Sequence, residues 1–319
     1  ISGENEARLI HLGAMHGLPP SPGSTLIIDI GGGSVELALG SGDTVVAAES
    51  FPLGVMRLNA QFGTIGPLSG PERRRLVDHI RQTTADFLGS LRQHNITRVV
   101  GTSGTILSLG AMAAGLRPGD PIRNVCVRTK AVRRLRRQIS SLSLAERRQL
   151  PMLDPRRADL APVGAVLLET LLKQVEAREM VLSDGALREG LILDCIRRMG
   201  AAAPGVAQGA DARRDSVKAL GRRFGIDETH AAQVTRLALA VFDATSERHG
   251  LEPEAREWLE YGAYLHDIGR CIGYERHHKH SQYLIVSGGL RGFRPAEIQC
   301  IALVARYHRK SRPRKAHPE

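Results

Sequence analysis

Long apolar runs, aromatic residues and cysteines are all scarce in this 319-residue chain. No stretch approaches the ~20 uninterrupted apolar residues that a membrane-spanning helix needs. The N-terminus has no basic segment leading into an apolar one, so no secretion signal is read from it. Four cysteines, Cys126, Cys195, Cys271 and Cys300, lie far apart with no paired spacing. That argues against disulfides or a zinc knot and predicts buried thiols in a reducing, cytoplasmic compartment. Aromatic residues make up 4% of the chain, too few to offer stacking platforms to a nucleic acid, and no specific nucleic-acid partner is expected. Positive charge is what the chain has in excess. Its formal net charge is +11, with arginines clustered at 73–75, 133–137, 147–148 and 306–314. A basic surface attracts any polyanion, polyphosphate as well as nucleic acid, and solvated helix faces would produce the same clusters.

The length suits two or three domains, and no internal repeat is visible. A helical pattern at 6–15 is followed by a Pro/Gly/Ser stretch at 18–24 and by an almost continuous apolar run at 25–30, the mark of a buried strand. Short β-branched runs at 35–39 and 43–50 continue as a meander. Helical spacing then covers 69–93, a strand 97–100, and helices 106–114, 130–142, 144–150 and 159–177. A last strand at 180–182 precedes a helix ending near 199. Residues 200–211, rich in Ala, Gly and Pro, read as a linker. Apolar residues at three- and four-residue spacing in 217–224, 234–242 and 258–265 make the remainder helical.

Two loops could carry chemistry. Asp29 ends the buried strand and is followed by Gly31, Gly32, Gly33 and Ser34. Glycines let backbone N–H groups approach an anion, while the carboxylate faces the same point. A β-hairpin would use the same turn, but an aspartate in a buried strand is costly without a partner. Gly101, Thr102, Ser103, Gly104 and Thr105 repeat the pattern of strand, small residues and helix start, although Ser103 or Thr105 would equally serve as an ordinary cap. Two such loops in one α/β domain favour a cleft for several phosphates. Glu6 and Glu36 offer further carboxylates, and hydrolysis of a phosphoanhydride needs a divalent ion and a base for water. The residues alone assign Glu6 no special role.

The segments Ile1-Ser2-Gly3-Glu4-Asn5-Glu6-Ala7-Arg8, Ile28 to Glu36, Gly101 to Thr105 and Leu182 to Gly190 stand in the order of the motifs of the exopolyphosphatase/guanosine-pentaphosphate phosphatase family, which the chain resembles from residue 1 to about 199. Arg157-Ala158-Asp159 with Gly164 adds to the likeness. The resemblance implies an α/β domain of the actin/sugar-kinase-like (ribonuclease H-like) type. Residues 1–20 would be a remnant of an incomplete first lobe and 21–199 the second, phosphate-binding lobe. It implies Glu6 as the base acting on water, Asp29 and Glu36 holding Mg2+ or Mn2+, and both loops gripping phosphate. It also implies inorganic polyphosphate or guanosine pentaphosphate as substrate, with exopolyphosphatase activity placed first, and a homodimer. The family begins with a further strand and phosphate loop before the first of these segments, so the chain alone is expected to be inactive or nearly so. The different class of reading, a protein that binds polyphosphate or alarmone without turnover, has no need for a water-activating base.

Residues 212–319 are expected to form an all-α domain in which Leu265-His266-Asp267-Ile268-Gly269 resembles the signature of the HD phosphohydrolases, and His230 that superfamily's first ligand. His230, His266 and Asp267 would suit a divalent metal, with His277, His278 and His280 near by in sequence. The last helical segment offers His308-Arg309-Lys310 rather than a final aspartate. The expectation is therefore a degenerate HD-like domain that adds basic surface, its histidines otherwise bridging packed helices.

Overall fold

The segment Ser24–Ile30 is apolar from Leu26 to Ile30 except at Asp29 and is satisfied by burial on both faces. In a computed structural model, described for residues 2–19, 21–42, 44–63, 66–198, 210–309 and 313, it forms a central strand. The elements of the first unit are α1 (Gly3–Met15), β1 (Ser24–Ile30), β2 (Val35–Ser41), β3 (Thr44–Phe51), α2 (Val55–Phe62), α3 (Gly70–Ser90), β4 (Ile96–Thr102), α4 (Ser103–Ala114), β5 (Cys126–Arg128), α5 (Thr129–Ser141), α6 (Leu144–Arg147), α7 (Ala161–Gln174), β6 (Glu179–Leu182) and α8 (Leu187–Arg198). The strands lie in one sheet in the order β3-β2-β1-β4-β6-β5. β1, β2 and β3 form an antiparallel meander, β1, β4 and β6 run parallel, and β5 is antiparallel to β6. The sequence pattern did not reveal β5 or α2. A three-residue strand is too short to show alternation, and α2 starts directly after Gly54 without a capping side chain.

Alternation along β1 sorts its side chains between two cores. Leu26, Ile28 and Ile30 join a large cluster with Leu37, Leu39, Leu109 and Leu168, on the side of α3, α4 and α7. Ile27 and Ala38 join a smaller cluster with Ala7, Ile10 and Ala14 of α1. Asp29 and Glu36 lie two positions from Ile27 and Ala38 and so face α1. Residues 1–20 thus place α1 against the sheet, within a compact unit of Ile1–Ala203. A Cβ on Gly13 or Gly190 would strike the backbone of α8 or α1 respectively, so these glycines set how closely the two helices pack. The ion pair of Arg8 with Asp194, 3.0 Å, joins the same helices.

Two arginine clusters are partly structural. Arg147 is fully buried and donates to the carbonyls of Gly66 (2.8 Å), Ala158 (3.1 Å) and Leu142 (3.2 Å). Arg136 and Arg133 pair with the buried Glu169 at 2.6 and 3.3 Å. Part of the 306–314 cluster lies outside the described residues. The cysteine expectation is corrected: Cys126, Cys195 and Cys271 are exposed and Cys300 half-buried. Cys126 stands on the short edge strand β5, where one face of the side-chain alternation is open.

The second unit, Pro204–Glu319, is helical: α9 (Ala210–Arg223), α10 (Glu228–Ala244), α11 (Ser246–His249), α12 (Pro253–Tyr264), α13 (His277–Ser287) and α14 (Pro295–Arg306). Of the linker expected at 200–211, residues 200–209 lie outside the described residues, and α9 already begins at Ala210. Leu220, Tyr261, Leu265, Ile285, Phe293 and Ile301 form its core. Arg213 closes one end by pairing with Glu257 (3.1 Å) and Glu297 (2.9 Å).

Candidate functional site

The turn Gly31–Ser34 joins β1 to β2 as a hairpin and closes with a bond from the Gly31 N–H to the Ser34 carbonyl, 3.0 Å. The carbonyls of Gly31 and Gly32 accept from the N–H groups of Val55 and Met56 at 3.0 and 2.9 Å. Gly54 lies against Gly32 and Gly33 so closely that a Cβ there would strike their backbone. The loop is thus a hairpin and also a backbone-lined surface, since the space beside Gly33 is open.

The second loop follows β4, where Thr102 lies beside Asp29 in the parallel register. Gly101 packs under α4, where a Cβ would come within 2.5 Å of Ile106. Thr102 is buried and donates its hydroxyl to the carbonyl of Gly185, 2.7 Å, which ties this side chain to the segment after β6. Ser103 takes a left-handed backbone, φ 69°, a conformation a non-glycine residue adopts at a cost of about 1–2 kcal/mol. Its hydroxyl bonds the Asp29 carboxylate.

Asp29 is 4% exposed and Glu36 3%. The two are cross-strand partners on one face of the sheet. Glu36 accepts a bond from the Ser50 hydroxyl, 2.8 Å. Burial pushes the Asp29 carboxyl up to about 6, against the lowering effect of the Ser103 bond, and the Glu36 and Glu6 carboxylates push it the same way. Glu6 projects from α1, one turn before Ile10, and its carboxyl is raised by burial and then by Glu36. All three carboxylates therefore feel one another from the α1 face of the sheet. Among the described residues, their oxygens do not converge within 4.8 Å as a trio.

A cleft of about 290 Å³ opens beside both loops. Gly31, Gly32, Ser103, Gly104, Thr105 and Ser108 form one rim, with Val55, Leu109, Leu153 and Leu160 as apolar wall. Arg157 enters it close to Gly104, where a Cβ would meet the guanidinium at 2.8 Å. None of the three carboxylates lines this cleft. Ser103 connects them, reaching the cleft on one side and Asp29 on the other. Arg157 stood in the sequence only as part of a motif; its role beside the second loop depends on the fold, which brings the segment before α7 against the start of α4.

In the helical unit, His230, His266 and Asp267 come together, as do Asp267, His277 and His308. His230 lies in the first turn of α10, His266 and Asp267 follow α12, His277 opens α13 and His308 follows α14. Burial holds the His266 and His308 imidazoles below their ordinary range. The sequence offered no final carboxylate for this group, and in space His308 occupies the position beside Asp267.

Comparison with known proteins accords with these features. The Ppx/GppA phosphatase family matches residues 1–199, and Ppx/GppA phosphatase, domain III, matches residues 212–319. A guanosine-5'-triphosphate,3'-diphosphate pyrophosphatase of Photobacterium profundum is 29% identical over 314 residues, and one of Vibrio atlanticus 28% over 311; each alignment covers 97% of this chain and 60% of the relative. The chain thus spans about 60% of the length of these curated relatives. Among solved structures, an exopolyphosphatase from Cytophaga hutchinsonii is similar with a TM-score of 0.58 at 26% identity, over 63% of this chain and 65% of that one. The Aquifex aeolicus Ppx/GppA phosphatase gives 0.55 at 25%, over 61% and 64%. With a family match over more than half its length, two phosphate-type loops and three facing carboxylates, the chain belongs to the Ppx/GppA phosphatase family.

Proposed function

We propose that this chain carries the carboxylate-bearing and phosphate-gripping part of a hydrolase that removes a terminal phosphate from a phosphoanhydride. The observation that carries the reading is Asp29, a buried carboxyl raised to about 6, bonded to one loop through Ser103 and placed at the start of the other. A fold has no structural use for such a group, whereas phosphoryl transfer needs one.

Asp29 and Glu36 are hard oxygen donors side by side on one sheet face, and no protein cation is among the influences on Asp29. They fit Mg2+ or Mn2+, which prefer carboxylates and phosphate oxygens. Such an ion, when bound, neutralises charge on the phosphates and on both carboxylates. Glu6 orients a water and accepts its proton as the water oxygen bonds to the terminal phosphorus. The bond from that phosphorus to the bridging oxygen breaks, and orthophosphate leaves. The N–H groups of Gly32 to Ser34 and of Ser103 to Thr105, with Arg157, hold the phosphate oxygens.

Guanosine pentaphosphate is the substrate that the cleft favours. Its wall of Val55, Leu109, Leu153 and Leu160 suits a purine face better than a chain of phosphates, and relatives named for that reaction align along 97% of the chain. Polyphosphate is the second reading, supported by the exopolyphosphatase among the similar structures and by the net charge of +11.

Orthophosphate release with Mg2+ from each substrate, and from the two in competition, tests this. Release is expected to be faster from guanosine pentaphosphate than from polyphosphate. Glu6→Gln should lower turnover about 100-fold or more with binding kept. An unchanged rate in that variant would remove Glu6 from the mechanism, and binding of either substrate without release would make this a binding protein.

A further inference from the structure

The helix α5 carries Lys130, Arg133, Arg134, Arg136 and Arg137 and no acidic residue. Its apolar side chains Val132, Leu135 and Ile139 join the large core with Leu168 and Leu172 of α7, so the cations radiate from the outer half. Lys130, Arg133, Arg134 and Arg137 are exposed. Spacings of three and four residues put these four on one helix face. At a rise of about 1.5 Å per residue, they extend over roughly 10 Å along the axis.

The carboxylate this face meets is the buried Glu169 of α7, on which three cations converge. Lys173 stands at 2.5 Å, Arg136 at 2.6 Å and Arg133 at 3.3 Å. Burial acts to raise the Glu169 carboxyl, but the bonds from Lys173 and Arg136 overcome it and hold the group below its ordinary range. Arg136, the least exposed of the three cations, neutralises this one negative charge and ties α5 to α7. Arg133 and Lys173 are then in excess, fixed in place by a carboxylate that needs neither for its charge balance. Arg133 gives its Nε to Glu169, and its guanidinium holds further N–H donors on an exposed side chain. A surface that gathers like charges in this way projects a positive potential and draws polyanions.

The chemistry of the face narrows the partner. No Phe, Tyr or Trp lies in α5, so the bases of a single-stranded nucleic acid find nothing there to stack on. The apolar residues of the helix are spent on the core, so it has no face to sink into a bilayer as an interfacial helix does. What fits is a row of closely spaced oxyanions without base or acyl chain. We propose that the outer face of α5 is a docking surface for linear polyphosphate, with Arg133 and Lys173 gripping one stretch and Lys130, Arg134 and Arg137 tracking the chain along the helix. None of these residues lines the cleft beside Gly31 and Ser103, so the inference does not depend on which substrate that cleft hydrolyses.

The test measures binding of end-labelled long-chain polyphosphate to the full chain across a salt series, in chelator. Lys130→Gln/Arg134→Gln/Arg137→Gln should lose about tenfold or more in affinity, and its slope of log affinity against log salt should be shallower by about 2, at ~0.7 per cation. Arg133→Gln/Lys173→Gln, which leaves Arg136 on Glu169, should weaken binding as well. Arg74→Gln/Arg75→Gln/Arg81→Gln removes the same charge from exposed positions of α3 and should change affinity by less than about twofold. Orthophosphate at equal phosphate content, a short DNA duplex and phosphatidylserine vesicles should each compete at least about tenfold more weakly than unlabelled polyphosphate. Undiminished binding in the folded Lys130 triple variant overturns the proposal, as does an equal loss in the α3 variant. Equal competition by orthophosphate would mean a site for single phosphates, and equal competition by duplex or vesicles a different partner; either overturns it too. Circular dichroism monitors folding. If one α5 variant fails to fold, the other carries the comparison; if both fail, the ranking of competitors on the wild-type chain decides. Phosphate release from guanosine pentaphosphate should be unchanged in the Lys130 triple variant, which separates failure of this surface from failure of the cleft.

Discussion

Asp29 shows how a single residue bears a cost for the site it serves. Its carboxyl ionises at about 6 in the folded chain against 3.8 ordinarily. The folded state therefore holds this proton more tightly than the unfolded state. The associated stability is fully present below pH 3.8 and is lost as pH rises through about 6. At one pKa unit for about 1.4 kcal/mol, the penalty near pH 8 is at most about 3 kcal/mol. Asp29→Asn, which keeps the shape and removes the charge, should melt higher than wild type at pH 8 in chelator, and the gap should close by pH 4. Mg2+ should raise the wild-type melting temperature at pH 8 and leave that of Asp29→Asn almost unmoved. A variant less stable than wild type at pH 8 would mean that the protein already compensates this charge.

At the scale of elements, α1 brings Glu6 to the sheet, and its position depends on close backbone approach. Gly190 of α8 faces Leu9, and an added Cβ there would strike the Leu9 carbonyl. Gly190→Ala must push the helices apart, which in a tight interface costs typically about 1–3 kcal/mol. The expected outcome is a lower melting temperature together with loss of turnover, because Glu6 moves with α1. A control at Gly115, a helix cap facing open space, should leave turnover unchanged in Gly115→Asn. Thermal melts and phosphate release on the same samples check both. The sequence carried part of this arrangement. The motif at 182–190 was legible as a family feature, but that its glycines serve the packing of α1 was not, since the two segments lie at opposite ends of the unit.

At the scale of the whole molecule, the chain has two compact units, each with its own core, and two kinds of candidate metal site. Oxygen donors lie in the α/β unit and mostly imidazoles in the helical one. Differential scanning calorimetry should resolve the units as separate transitions when each is loaded selectively. Mg2+ with a phosphate-rich ligand should raise one transition, and Zn2+ the other. Asp29→Asn should abolish only the first response and Asp267→Asn only the second. A single transition answering equally to both ligands would show that the units unfold together.

What the sequence determined by itself was local. The apolar run at 25–30 required a buried strand, glycines after Asp29 required a turn with accessible backbone, and the order of four short motifs identified the family. Chain periodicity also placed most helices, because burial repeats every two or 3.6 residues. Tertiary structure decided what depends on convergence. It brought Glu36 beside Asp29 by strand register, Ser103 to the Asp29 carboxylate, Arg157 to Gly104 and His308 to Asp267. It also showed that Arg147 and Arg136, which read as polyanion-binding charge, are held by carbonyls and by Glu169. Residue type and spacing report which side chains are available. Which of them share a charge, a proton or an ion is fixed only by distances across the fold, and no periodicity along the chain encodes these.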